Sequence, residues 1–263
     1  MNVACEDQQF DPSSSNTVVV EGFLYAHQPV QSIRISELIP FIAEEEKNYG
    51  IADAQVVIHW GEEKFLLTPS EDSIGLYYYD GSGLSIIEGE TYQLSLEYFG
   101  KTTFATTTVP GKPQQLKISE DTLEIEPIES FEDLRDRGIQ DNIEVTWSNE
   151  NGEYFYIIVE NVEEDPEEIN TLEFNGFGRP NFNLITQPTT LDVHNIQPFS
   201  LTQYGRYRVV VFHVAQEYAD LYETSEQDSR NLTEPLNNIE NGLGIFTSFS
   251  SDTVSFVIIK PGE

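Results

Sequence analysis

The sequence predicts an all-β protein, built as two β-sandwich domains in tandem with one short helix near the C-terminus. Three observations predict it. Apolar and polar residues alternate along most of the chain, most cleanly in TYQLSLEY (91–98), where Tyr92, Leu94, Leu96 and Tyr98 share one face and Thr91, Gln93, Ser95 and Glu97 the other. The alternating stretches are short and are separated by turns rich in Gly, Asp, Ser and Glu. The single cysteine, Cys5, cannot close an internal disulfide, so the fold rests on apolar cores, for which 263 residues with 38% hydrophobic and 12% aromatic content suffice.

In order, TVVVEGFLY (17–25), QSIRISEL (31–38), AQVVIHW (54–60), FLLTPS (65–70), GLYYYD (75–80) and TYQLSLEYFGKTTFATTTV (91–109) read as strands, the last as a hairpin turning at Phe99-Gly100. PFIAEEEKNYG (40–50) is polar enough for one short helix. Tyr77, Tyr78 and Tyr79 put rings on both faces of one strand beside a flexible DGSG turn. They are the candidate ligand-binding residues, with packing against the second domain as the competing use. Two prolines and a glycine in VPGKP cannot continue a central strand, so a domain boundary falls at Pro110 to Pro113. The expected division is a flexible tether over 1–16, an N-terminal sandwich over 17–110 and a C-terminal one over 111–263.

Beyond the boundary, IEVTW (143–147), EYFYIIVEN (153–161), TTLDVHNI (189–196), GRYRVVVFHV (205–214) and DTVSFVIIK (252–260) are strands, and the last is expected to pair within the second domain. AQEYADLYETSEQ (215–227) breaks the pattern: Tyr218, Leu221 and Tyr222 fall at helical spacing, with acids opposite. The Pro-Gly-x-Pro entry, the V-T-W strand, the Tyr-rich strand and the late Y-x-V-x-V strand resemble a fibronectin type III module. The resemblance implies an immunoglobulin-like sandwich with Trp147 in its core rather than at a ligand.

Charge narrows the function. With 46 Asp and Glu against 13 Lys and Arg, the formal net charge is −33, a field that repels phosphate backbones and anionic headgroups. Neither nucleic acid nor a membrane held by a basic patch is expected as a partner. No apolar run approaches the ~20 residues of a membrane helix.

Chemical motifs are absent. His27, His59, His194 and His213 stand apart with no zinc spacing, no G-x-S-x-G elbow occurs, and Cys5 is too near the terminus for a nucleophile. The acidic runs NVEEDPEEIN (161–170) and SFEDLRD (130–136) lack the alternating calcium-loop pattern. No enzyme, cofactor or metal is expected. In NIENGLGIF (238–246), Gly242 and Gly244 supply positive φ and close approach while Ile245 and Phe246 enter the core; the spacing is wrong for a phosphate loop.

Val3-Ala4-Cys5 is similar to the end of a bacterial lipobox, with Asn2 departing from it, and the polar EDQQFDPSSSN that follows suits a tether. The alternative is a stray cysteine in a loose tail. With the acids after Cys5, the early VVVEG strand, ADAQVVI, the G-E-T-Y-Q-L strand and above all NIENGLGIF, the chain resembles domain-of-unknown-function family 4249, a family of Bacteroidota lipoproteins. That resemblance implies lipid attachment at Cys5, display on the outer face of the outer membrane, and an accessory, non-enzymatic role beside a TonB-dependent receptor. It carries over no catalytic residue. A free-standing glycan-binding, peptide-binding or adhesion module is the second expectation.

Overall fold

A computed structural model describes residues 17–39, 48–130, 132, 141–170, 183–225 and 237–262. Cys5, residues 40–47 of the expected first helix, nearly all of SFEDLRD and residues 171–182 lie outside the described residues. The chain divides into two compact units, Met1–Thr108 with Glu234–Thr247, and Val109–Thr233 with Ser248–Glu263. This corrects the expected division, which gave all of 111–263 to the second domain. Alternation marks a strand without saying which sheet it joins, and residues 239–247 join sheets of the first unit.

In the first unit, β1 (Val18–Tyr25) pairs antiparallel with β2 (Ile33–Glu37). β3 (Gln55–Trp60) and β4 (Glu63–Leu66) form a hairpin, and β5 (Thr68–Pro69) pairs with β6 (Leu76–Tyr78), which returns to β2. β7 (Thr91–Tyr98) and β8 (Lys101–Thr108) form the expected hairpin. One sheet runs β16 (Ile239–Glu240), β8, β7, β3, β4. The other places β17 (Leu243–Ile259) beside β1, then β2, β6 and β5. Alternation supplies the core: Val18, Val20, Ile33 and Ile35 on one sheet, and Val56, Ile58, Leu94 and Leu96 on the other, are buried.

β17 is 17 residues long, about three times an ordinary strand. Leu243 to Thr247 belong to the first unit; the later residues belong to the second, where Phe249 to Ile258 pair with Val214 to Gly205. The expected closing strand, 252–260, is thus the second half of a longer one. Asn241 and Gly242 form the corner between β16 and β17, with Asn241 at φ 61°. The Asn238 amide replaces a missing strand there. Its Nδ2 donates to the Phe246 carbonyl at 2.7 Å, and its Oδ1 accepts from the Phe246 N–H at 3.0 Å.

The second unit contributes β9 (Gln114–Ile118), β10 (Thr122–Glu124), β11 (Ile143–Ser148), β12 (Tyr154–Asn161), β13 (Asn183–Ile185), β14 (Val193–Ile196) and β15 (Gly205–Val214). One sheet is β14-β11-β9. The other is β13-β12-β15-β17, with β10 parallel on the far side of β17. With the short β10 set aside, the first, second and fifth strands on one sheet and the third, fourth, sixth and last on the other make an immunoglobulin-like sandwich of the fibronectin type III kind. Ile143, Val145 and Trp147 of the small sheet meet Phe155, Ile157, Val209, Val211 and Phe256 of the large one. Trp147 is a core residue, as its place in the alternation predicts.

Helix α1 (Gln216–Ser225) lies within the expected span. Tyr218 brings it onto Tyr156 and Phe249, with ring centroids 5.9 and 4.9 Å apart, and Ala219 is buried. β9, β10, β13 and β16 were not expected.

Tyr207, near the start of β15, is wholly buried and its hydroxyl donates 2.9 Å back to the Gln203 carbonyl. This is the tyrosine corner of immunoglobulin-like sandwiches. Its ring stacks on Phe256 at 5.1 Å. Tyr207→Phe keeps the stack and orphans the buried carbonyl, so chemical denaturation should show a loss of about 1–3 kcal/mol.

Candidate functional site

The structure turns part of the tyrosine triplet into the core. Tyr77 is wholly buried, and its hydroxyl accepts from the Ala54 N–H at 3.2 Å. That corrects its assignment as a ligand-binding residue: at alternate positions of a half-buried strand, one side must face the core. Tyr79 is half-buried, with its ring edge against Phe65 at 5.6 Å and its hydroxyl over Gly81, where a Cβ would lie 2.3 Å away. Tyr78 is half-buried as well.

The histidines remain separate. His27 lies 3.3 Å from Glu88, and His59 Nε2 lies 2.8 Å from the Ser95 hydroxyl. His213 Nδ1 sits 2.6 Å from the Gly111 carbonyl, so that nitrogen carries a proton, and Ser250 donates to the same carbonyl at 2.7 Å. With Lys112 3.1 Å from Asp252, these contacts fix the Pro-Gly-Lys-Pro stretch onto the second unit. Among the described residues, no three His, Cys, Asp or Glu side chains gather closely enough to hold a metal.

Burial and Lys64 lower the pKa of the more exposed His59, and burial lowers that of His194, whose titration should affect stability more. The His194 Nε2 is buried with no hydrogen-bond partner among the described residues, and burial pushes its pKa below the usual 6.5. Below pH 6.5 the unfolded chain takes up a proton that the folded chain refuses. Stability present above that pH is therefore lost as pH falls towards the folded value. Melting curves between pH 7 and pH 5 should show a drop that His194→Gln reduces.

A concave feature lies on the outer face of the β16-β8-β7-β3-β4 sheet. Register places Gln93 opposite both His59 and Thr106, and Phe104 opposite both Ser95 and Glu240. Gln93, Phe104, Ala105, Thr106, Asn238 and Glu240 line an open cleft of about 300 Å³, near the small end of ligand sites. Phe104 is half-buried, while Gln93, Thr106 and Glu240 are exposed. Asn238, held by its two bonds to Phe246, is a fixed wall. One aromatic ring, one free amide, a hydroxyl and a carboxylate can hold a ligand by shape and hydrogen bonds. A single carboxylate supplies neither an acid-base pair nor a cation cage.

Alternation had already put Gln93 and Ser95 on the wet face of TYQLSLEY. It gave no sign that Glu240 would arrive beside Phe104.

The family model described as "Domain of unknown function (DUF4249)" matches residues 6–255. The chain belongs to this family. The match runs from the acid after Cys5 through the β16-β17 corner and along most of β17. No curated protein matches. Among solved structures, the chain is similar to chicken CNTN1 FN1-FN3 domains at 13% identity and TM-score 0.32, covering 93% of this chain and 67% of that one. It is similar to titin domains A168-A170 at 10% identity and TM-score 0.22, with the same coverages. At such TM-scores neither likeness bears on the fold, which rests on the strand order above. The family description assigns no residue a role.

Proposed function

We propose that this member of the DUF4249 family is a non-enzymatic lipoprotein of the Bacteroidota cell surface. It is anchored in the outer membrane through Cys5 and works as an accessory subunit of a TonB-dependent transporter. The observation that carries the reading is the family match beginning at residue 6, directly behind the lipobox-like Val3-Ala4-Cys5, with β1 starting only at Val18. Two sandwich units and a ligand-sized cleft without a catalytic pair support binding rather than turnover.

The test is native extraction. Mild detergent solubilisation of membranes should bring the protein out with a β-barrel receptor, and Cys5→Ser in the full precursor should release it into the soluble fraction. A protein that always leaves the membrane alone overturns the partnership, and a membrane-bound Cys5→Ser chain in cells lacking the receptor overturns the anchor. The cleft favours one second reading, a free-standing glycan-binding or peptide-binding module. A glycan array hit by the soluble chain and lost in Phe104→Ala would select it.

A further inference from the structure

The β7-β8 turn is built against its own sequence. Phe99 and Gly100 both have left-handed backbone, with φ 48° and 72°, in a two-residue hairpin turn. Such a turn favours Asn, Asp or Gly at its first position, and a bulky side chain there costs free energy. Phe99 gains little burial in return: it is 70% exposed, and its ring meets that of Tyr98, itself at the surface, with centroids 4.4 Å apart at 61°. A residue that breaks a local rule without local compensation points to a task outside the fold.

Its surroundings indicate which task. A Cβ on Gly242 would lie 3.0 Å from both the Val18 carbonyl oxygen and Thr103 Cγ2, so the start of β1 sits beside the β7-β8 hairpin. Burial and the Glu37 carboxylate raise the Tyr98 pKa, and two residues beyond Glu37 stands Ile39, 58% exposed. Lys101 follows the turn, exposed. At the same end of the first unit the Leu38 N–H donates to the Thr17 carbonyl at 3.0 Å, and Val18 pairs with Glu37. The chain from Cys5 therefore enters the fold beside Tyr98, Phe99 and Ile39.

We propose that the hairpin tip, Tyr98-Phe99-Gly100-Lys101 with Ile39, inserts into the interfacial layer of a zwitterionic bilayer. The inference rests on the reading that Cys5 carries lipid. A phenol, a phenyl ring, a branched aliphatic and a lysine are the side chains that settle where headgroups meet acyl chains. Alone they bind weakly. The stretch from Cys5 to Thr17 spans at most about 40 Å when extended, so an anchored chain keeps its tip at high local concentration near the surface. Lipid and tip then act as the two signals that stable attachment requires. The acidic body selects zwitterionic over anionic headgroups.

The experiment uses the full chain, coupled through Cys5 to a maleimide lipid in phosphatidylcholine vesicles. Phe99→Trp provides the probe, in vesicles with and without brominated acyl chains. Emission from position 99 should shift to the blue and be quenched about twofold, while Trp60 and Trp147 of the native chain stay unquenched. In the native chain, amide exchange at Phe99 to Lys101 should slow on tethering. Phosphatidylglycerol vesicles should quench less at low salt than phosphatidylcholine. Quenching no greater than in the native chain, with unchanged exchange, overturns the proposal and points to a protein pocket for Phe99; equal or stronger quenching by phosphatidylglycerol overturns the headgroup preference. Neither result touches the anchor itself, which fractionation of Cys5→Ser decides separately.

Discussion

Gly244→Ala is expected to unfold much of the first unit's stability. Gly244 holds φ 109°, and a Cβ there would sit 2.0 Å from the Val20 carbonyl oxygen and 2.9 Å from its carbon. The obstacle is backbone of a paired strand, so no side chain can swing aside. β17 would have to separate from β1 at the point where buried Ile245 and Phe246 follow. Backbone strain of about 1–3 kcal/mol adds to the lost pairing and packing, and a total above about 4 kcal/mol is the expectation. Calorimetry should show the melting temperature fall by about 10 °C or more. Gly262→Ala, also at positive φ but in open space, is the matched control and should show the conformational cost alone.

Trp147→Ala should be comparably severe in the second unit. The indole is 4% exposed, belongs to the cluster joining the two sheets, and lies 5.6 Å from the Phe155 ring. Truncation of such a side chain costs about 3–5 kcal/mol, as lost transfer energy plus the cavity left behind. The Nε1 atom has no hydrogen-bond partner among the described residues, so removing it orphans nothing. Trp147→Phe should therefore recover most of the loss, which denaturant midpoints at constant m-value would register. Equal losses for Phe and Ala would mean that a polar contact of the indole matters more than its volume.

Alternation made much of the fold readable. The faces of β7, β12 and β15 follow from period two, and the buried Val145 and Trp147 of β11 follow in the same way. β16 and β13 were not readable because two or three residues cannot display a period, and FLLTPS, read as one strand, is divided between the end of β4 and β5. Tyr77 shows the limit on function. The alternation that placed rings on both faces also required one face to be core, but not which. The cleft was less readable still, since Phe104 meets Glu240 only through a ladder closed across about half of the chain. The NIENGLGIF corner was legible as a close approach of backbone, but the strand it approaches, β1, lies near the other end of the sequence.

The interleaving of the two units sets an order of manufacture. A nascent chain that has emerged as far as Thr108 still lacks β16 and the first half of β17, so β8 and β1 each present an uncovered edge while more than a hundred further residues are synthesised. Exposed edges of this kind invite pairing with the wrong chain. During synthesis these edges stay open until the last strands arrive. A fragment cut at residue 110 would inherit the same open edges permanently. The soluble first unit is one in which residues 237–247 are grafted behind Thr108 on a glycine linker, restoring by design the partners that the natural order delivers last.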